Sequence, residues 1–139
     1  MLVCSPSNSS VDKYVTALQD LLGPELMLRI QAPHRNTVAN AASKYSHQDK
    51  TTGFYALPEA SALLRMVVVV STTRSAAQLV NAGVPKGHFT HIIVDEAAQL
   101  MEAEALLPIS LAGPQTAVIM AGDPQQLGPS TFSKVDSAP

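Results

Sequence analysis

Hydrophobic residues along the chain fall into five short runs separated by segments of mixed polarity. The runs occupy residues 1–5, 26–30, 66–71, 91–95 and 116–121. Each is only long enough for one strand, and the run at residues 66–71 is almost entirely β-branched. This pattern is typical of strands covered on both faces in a parallel sheet.

A first amphipathic helix is predicted after the first run. Its apolar positions recur at three- and four-residue spacing from residue 10 onwards, at Val11, Tyr14, Val15, Leu18, Leu21 and Leu22. Gly23 and Pro24 follow as a stop signal. Asn8, Ser9 or Ser10 can cap the amino end of this helix.

Two later helices complete an alternating pattern. They are predicted at residues 75–81 and 99–111, the second broken around Pro108. Residues 31–64 lose clear periodicity, so we expect an irregular insertion with some helix there. Because strands and helices alternate over 139 residues, the sequence predicts one α/β domain, with a parallel sheet and right-handed crossovers.

Composition narrows the class of protein. With 46% hydrophobic and 14% charged residues, the chain suits a soluble globular domain. No run is long enough to cross a membrane and no signal peptide precedes the first strand, so we expect no membrane association and a cytoplasmic location, with the nucleus as an alternative. The single cysteine, Cys4, is expected in the core. A net charge of −2 requires any nucleic-acid site to be local.

Polar stretches follow four of the predicted strands. They read SPSNSS after the first, STTRS after the third, DEAAQ after the fourth and GDPQQLGP after the fifth. In an open parallel sheet the ligand crevice lies outside the carboxyl ends of the strands, so we expect these stretches to meet there. The first two are suited to hydrogen bonds with phosphate oxygens, and the last two supply acids and glutamines.

Asp95 and Glu96 end the fourth strand. One carboxylate in such a pair can hold Mg²⁺ through water, while the other orients or deprotonates an attacking water. Alternatively, both acids merely favour the amino end of the following helix, and these two residues alone favour that simpler interpretation.

The stretch GDPQQLGP favours a phosphoryl-transfer site over a simple helix start as the interpretation of Asp95 and Glu96. Gly122 frees the backbone where the strand ends, and Asp123 places another acid at the crevice. Gln125 and Gln126 can reach a phosphate without adding negative charge. Taken alone, this stretch would be a proline-containing turn.

Four stretches in this chain together resemble a known enzyme family. LVCSPSNSSVD, IIVDEAAQLMEAEALLPI and VIMAGDPQQLGP closely resemble motifs Ia, II and III of superfamily 1 helicases of the up-frameshift-like group, and VVVVSTTRSA resembles the motif between Ia and II. FTHIIVDEAAQ is most similar to helicase-with-zinc-finger and Moloney-leukaemia-virus-ten-type RNA helicases. The resemblance covers most of the chain outside residues 31–64. It implies a partial RecA-like domain of the P-loop NTPase class.

The resemblance implies an ATP- and Mg²⁺-dependent site. Asp95 would bind the Mg²⁺ of MgATP, and Glu96 would be the general base for the hydrolytic water. Gln126 would contact the γ-phosphate and couple its loss to movement. Asp123 would support that network.

A single-stranded nucleic acid, RNA in this subgroup, is the other implied partner. The residues expected to contact its backbone are Pro6, Ser7, Asn8, Thr72 and Thr73. Their simpler roles are helix capping for the serine and asparagine and strand-end hydroxyls for the threonines. For Arg74 and Lys134, the sequence favours a solvated surface role over a phosphate contact.

The phosphate loop of this family is not found in the sequence. No G-x-x-x-x-G-K-[ST] stretch occurs among the seven glycines. The resemblance implies that this loop lies upstream of residue 1, and that a second RecA-like domain lies beyond residue 139 as a partner. We therefore expect the latter part of one motor domain, motifs Ia to III. Loss of the loop's hydrogen bonds costs about three decades of nucleotide affinity, so the isolated chain is expected to be inactive.

Two alternatives from other functional classes remain at this point. The chain could be a non-motor interaction or decoy module that keeps the fold. It could also be a Mg²⁺-dependent phosphohydrolase that uses Asp95, Glu96 and Asp123 on another phosphate, although this leaves the other motifs unexplained.

Overall fold

One parallel sheet of five strands organises the chain. The computed structural model describes residues 1–35, 41–126 and 128–129. Its strands are β1 (Leu2–Ser5), β2 (Met27–Ile30), β3 (Val68–Thr72), β4 (His91–Val94) and β5 (Ala117–Met120). Its helices are α1 (Asn8–Leu18), α2 (Ala41–Lys44), α3 (Ala60–Leu63), α4 (Ala77–Asn81) and α5 (Glu102–Ile109), with a 3-10 turn at Ala97–Gln99.

The strand order is β2-β3-β1-β4-β5, and every pairing is parallel. At the centre, Leu2 of β1 pairs with Val69 of β3 on one side and Ile92 of β4 on the other. The predicted α/β fold with a parallel sheet, as in a partial RecA-like domain, is confirmed. All five strands lie within the predicted apolar runs or extend one residue past them.

Apolar side chains on both faces of the sheet form the core. One face carries Leu2, Cys4, Val69 and Ile92, which pack with Phe89 and Leu111; on the other, Val3, Val68 and Val70 pack with Val11 and Val15 of α1. Cys4 is fully buried, as predicted, and burial raises the pKa of its thiol to about 12.

Helix α1 differs from its predicted bounds at both ends. Ser7 is the N-cap, and its Oγ accepts a hydrogen bond of 3.1 Å from the Ser10 amide. Capping by residues 8–10 was therefore a wrong prediction, and the simpler role of Ser7 as a helix cap is confirmed. The helix ends at Leu18 rather than near residue 22. Beyond this end, the Tyr45 hydroxyl lies 3.2 Å from the Gln19 carbonyl and 3.0 Å from the Leu22 carbonyl, so a tertiary contact satisfies the terminal carbonyls.

The predicted break at Pro108 does not occur. Pro108 lies in the last turn of α5, and the Ser110 amide still reaches the Leu106 carbonyl at 2.8 Å. The interruption lies instead before α5, where Met101 is extended at φ −69° and ψ 148°. A proline near the carboxyl end removes only one helical hydrogen bond, so the remaining turn survives.

Strand β5 forms an exposed edge of the sheet. All four of its residues are exposed, including Val118, Ile119 and Met120. Within the described ranges, β4 is its only neighbouring strand. In the irregular region, the described residues include α2, α3 and one isolated antiparallel bridge between Gln48 and Tyr55. None of the helices in the described ranges is both long and apolar enough to span a bilayer.

Candidate functional site

The polar stretches at the carboxyl edge of the sheet line two different clefts. A cleft of about 290 Å³, which we call the acidic cleft, is lined by Ser10, Lys13, Tyr14, Ala17, Asp95 and Glu96. A second one of about 600 Å³, the polar cleft, is lined by residues that include Pro6, Asn8, Thr72, Thr73, Arg74 and Glu104. Helix α1 contributes to both clefts. The single crevice expected from the sequence is therefore divided.

Asp95 follows β4 directly and points its carboxylate at α1. Its backbone amide donates a 2.8 Å hydrogen bond to the Cys4 carbonyl, which continues the sheet pairing. The Tyr14 hydroxyl donates a hydrogen bond to Asp95 Oδ2. Burial, this hydrogen bond and the charges of Asp95 and Glu96 raise the pKa of Tyr14 to about 12. Asp95 is thus held by a neighbouring side chain in the acidic cleft.

Glu96 adopts a backbone conformation that is unusual for its residue type. Its φ of 55° and ψ of 36° lie in the left-handed region, the only non-glycine case in the described chain. Its side chain makes no capping hydrogen bond with the 3-10 turn that follows, and Glu96 Oε2 instead accepts from Gln99 Nε2 at 3.1 Å. Glu96 thus stands at the amino end of the 3-10 turn without a capping hydrogen bond, which leaves the simpler interpretation, a favourable charge at that end, untested. Left-handed non-glycine residues occur disproportionately at functional sites.

Gly122 allows the end of β5 to approach this turn. A Cβ atom there would lie 2.9 Å from the Ala97 amide nitrogen and 2.8 Å from that of Ala98. The Ala97 amide also donates a 2.8 Å hydrogen bond to the Ala121 carbonyl. The sequence correctly singled out Gly122, but the reason differs. It does not adopt a positive φ, and what it provides is space beside Glu96.

Asp123 organises the turn after β5. Its Oδ1 accepts from the Gln125 amide at 2.9 Å, and its Oδ2 lies 3.4 Å from Gln126 Nε2. All three side chains are exposed, and none lines the acidic cleft. Asp123 and Gln126 therefore lie in the turn after β5, the strand that neighbours β4, and are not brought into the acidic cleft.

The acidic cleft suits a Mg²⁺ ion that keeps most of its water ligands, rather than one coordinated entirely by protein side chains. Among the described residues, no group of three or more histidine, cysteine, aspartate or glutamate side chains is placed to hold a metal. Mg²⁺ is commonly bound by one or two carboxylates, several waters and substrate phosphates. Asp95 can supply that carboxylate.

The predicted nucleic-acid residues have different environments. Pro6 and Asn8 line the polar cleft, whereas Ser7 is outside its lining and serves as the N-cap. Thr72 and Thr73 line it with only 7% and 1% of their surfaces exposed. Thr72 Oγ1 accepts from the Ser75 amide at 3.1 Å. The two threonines thus shape the cleft wall and offer little free hydroxyl surface.

A buried ion network behind the polar cleft was missed from the sequence. Arg29 on β2 is 1% exposed, and its Nε contacts Asp12 Oδ1 at 2.9 Å while its Nη2 donates to Asn8 Oδ1 at 2.8 Å. Arg35 Nη2 reaches Asp12 Oδ2 at 3.0 Å. Burial opposes ionisation of Asp12, but hydrogen bonds from Arg35 and Arg29 outweigh it and lower its pKa. The signal available in the sequence was a charged residue inside an apolar strand.

Comparison with known proteins agrees with the resemblance. Residues 46–134 match the family model described as AAA domain. Human "RNA helicase Mov10l1" is 35% identical over 143 residues, which cover 99% of this chain and 11% of that protein. The mouse "Probable helicase with zinc finger domain" is 33% identical over 144 residues, 96% of this chain and 7% of that protein. Human "3'-5' exoribonuclease HELZ2" is 46% identical over 76 residues, 55% of this chain and 2% of that protein.

These relatives are far longer than the chain, which spans 11% of human Mov10l1 and 7% of the mouse helicase with zinc finger domain. The family match, in contrast, extends over more than half of the chain and includes β3, β4 and β5. The chain therefore belongs to the AAA domain family, and its similar members include proteins named as helicases.

Proposed function

We propose that the chain is part of a helicase motor domain that couples ATP hydrolysis to movement along single-stranded RNA. The observation that carries this proposal is the pairing of two clefts at one sheet edge, one acidic and one lined by the motif Ia strand end and the β3 loop. Helix α1 contributes residues to both, so a shift of α1 would affect both. Similarity to proteins named as helicases supports the same assignment.

In this proposal the residues of the acidic cleft bind Mg²⁺ and activate the water that hydrolyses ATP. Bound MgATP supplies the phosphoryl group and the metal charge that stabilises its transfer. Asp95 is the carboxylate that binds Mg²⁺, and Tyr14 fixes the orientation of that carboxylate. Glu96 accepts the proton of the attacking water, with its side chain oriented by Gln99.

The turn after β5 couples the nucleotide to movement. Gln126 contacts the γ-phosphate in this proposal, and Asp123 holds the turn that presents it. Gln126 is exposed and lies outside the acidic cleft, so its side chain would reach a nucleotide bound in that cleft only if the turn moved.

The exposed β5 edge is where a further strand would add. An apolar strand with free hydrogen-bonding groups favours pairing. We propose that the strand carrying the phosphate loop pairs there in a longer protein, and that the second RecA-like domain packs over the acidic cleft. The 139-residue sequence contains no phosphate loop, so we propose that the chain alone neither binds ATP tightly nor hydrolyses it.

The polar cleft holds the RNA backbone in this proposal, through Pro6, Asn8 and the β3 loop. Amide chemical shifts of the ¹⁵N-labelled chain titrated with an oligouridine test this directly. We expect the largest changes at residues 7–8 and 72–75, with smaller ones at residues 95–96. Absence of binding, or changes confined to the opposite edge of the sheet near Arg65, would contradict the proposed surface.

A further inference from the structure

One ion pair bridges two walls of the polar cleft. Arg74 lies in the loop after β3, and its Nη2 contacts Glu104 Oε1 on α5 at 2.6 Å, with Nε at 2.7 Å from the same oxygen. Both residues line the cleft. Of the described residues in that lining, Arg74 is the only cation and Glu104 the only anion. The pair therefore sets the charge of the cleft.

Arg74 is the side chain of the β3 loop that is most exposed to solvent next to the two threonines. Its side chain is 78% exposed, whereas Thr72 and Thr73 beside it are buried. A planar guanidinium with several donors suits the oxygens of a phosphate. The hydroxyls of the neighbouring threonines have little surface to offer, so Arg74 is the better-placed phosphate ligand.

Glu104 can release Arg74 without unravelling its own helix. Its Oε1 holds the guanidinium, while its Oε2 lies 3.4 Å from the Met101 amide at the amino end of α5. The two contacts use different oxygens. The helix contact therefore survives when the arginine leaves, and exposed ion pairs of this kind are individually weak.

We propose that Arg74 is a phosphate-binding residue for single-stranded nucleic acid and that Glu104 competes with the phosphate for it. This inference rests on the proposed nucleic-acid function and adds to it a ligand and a competing group. In the free protein, Glu104 neutralises Arg74 and repels phosphates. On binding, a backbone phosphate takes the guanidinium, and Glu104 remains against the α5 amide.

The test measures binding of a fluorescein-labelled oligouridine to the 139-residue chain by anisotropy at several salt concentrations. We expect Arg74→Ala to weaken binding about three- to tenfold at low salt and to reduce the slope of log K against log salt by about 0.7. Arg65→Ala is the matched control, because Arg65 is exposed at the amino end of β3, away from the cleft. It should leave both quantities nearly unchanged.

Glu104→Gln gives the opposite and more specific result. Freed from its partner, Arg74 should bind the oligonucleotide about two- to fivefold more tightly. Glu102→Gln removes the same charge from the same helix turn but lies outside the cleft lining, so its effect should be smaller. In the Arg74→Ala background most of the gain from Glu104→Gln should vanish, because the arginine it releases is absent.

Several outcomes separate this inference from the function on which it rests. If the unaltered chain binds the oligonucleotide and Arg74→Ala does not weaken that binding, the role of the Arg74–Glu104 pair is overturned but the nucleic-acid surface is not. The same follows if Glu102→Gln and Glu104→Gln increase the affinity equally. No binding by the unaltered chain would contradict the nucleic-acid surface itself. An oligothymidine arm should give the same Arg74 dependence, since the contact is to phosphate.

Discussion

The Tyr14 hydroxyl donates a hydrogen bond to Asp95 Oδ2, joining the middle of α1 to the end of β4. We expect Tyr14→Phe to lower the free energy of unfolding by about 1 kcal/mol at neutral pH, through loss of this bond. Urea denaturation followed by circular dichroism measures the change. Asp95→Asn should partly remove the effect of the tyrosine substitution, and full additivity of the two changes would show that the contact is not formed.

The same contact predicts an alkaline pH dependence. The pKa of Tyr14 is raised to about 12 in the folded protein, above its usual value near 10. The unfolded chain therefore loses this proton first, and the contribution of Tyr14 to stability is full below pH 10 and declines as pH rises towards 12. Stability of Tyr14→Phe should fall less steeply over this interval. Equal slopes for the two proteins would contradict the raised pKa.

Gly122 is predicted to be intolerant of a side chain. In Gly122→Ala, the added Cβ meets the Ala97 and Ala98 amides below 3 Å, and we expect a loss of about 1 to 3 kcal/mol as the turn after Glu96 shifts. Gly128→Ala is the matched control, since no atom of the residues that the structure describes lies within 4 Å of its added Cβ. It should change the unfolding free energy by less than about 0.5 kcal/mol. Equal losses from both variants would exclude the steric explanation.

The Asp12–Arg29 pair predicts an acid limit to stability. The pKa of Asp12 is lowered in the fold, so its contribution is present above the unfolded pKa near 3.9 and is lost as pH falls through the folded value. Asp12→Asn should be less stable at neutral pH and show a flatter decline below pH 4. The control is Asp20→Asn, because Asp20 is exposed just past α1. A wild-type acid profile in Asp12→Asn would refute the pairing.

Removing the buried arginine itself is expected to be more damaging. Arg29→Met removes one of the two arginines that pair with the Asp12 carboxylate, and it also removes the hydrogen-bond donor to Asn8 Oδ1. Breaking a buried ion pair by removing one partner costs about 3 kcal/mol or more. Thermal unfolding by calorimetry measures the loss. A variant as stable as the unaltered chain would mean that Arg29 contributes nothing net to the fold.

The β5 edge predicts self-association of the isolated chain. Met120→Lys introduces a charge on this exposed apolar strand and should shift the protein towards monomer in light scattering. Leu21→Lys is the control, since Leu21 is also exposed but lies after α1, away from the edge. Equal behaviour of the two variants would place any association elsewhere.

The local sequence pattern was sufficient to predict the parallel sheet, but it did not predict that the carboxyl ends of the strands line two separate clefts. The five apolar runs predicted the strands; β1, β2 and β3 are buried along their whole length and β4 in part, whereas β5 is exposed at all four residues and was predicted from its apolar pattern alone. The parallel order of the strands follows from the intervening helices. Separation of Asp95 from Thr72 into different clefts depends on how α1 packs between them, which no local spacing records. The roles of Tyr14 and Arg29 likewise arise from partners more than ten residues away in sequence.

The ends of α1 also differ from those predicted by local spacing. Tyr45 satisfies the carbonyls after α1, so the apolar spacing through Leu22 overstated the helix. At the amino end, Ser7 is the cap through a local bond from the Ser10 amide, while Asn8 already lies within the helix. Only the carboxyl end of α1 therefore depends on a tertiary contact that local spacing does not record.

The central claim, that Asp95 and Glu96 serve a helicase ATPase site, is tested most directly by exchange into a relative. The chain would replace the matched segment of human Mov10l1, and RNA-stimulated ATP turnover of the folded chimera would be compared with its Glu96→Gln variant. We predict turnover in the chimera and a loss of at least about a hundredfold with Glu96→Gln, at unchanged RNA affinity. Turnover that is unaffected by Glu96→Gln and Asp95→Asn would contradict the account.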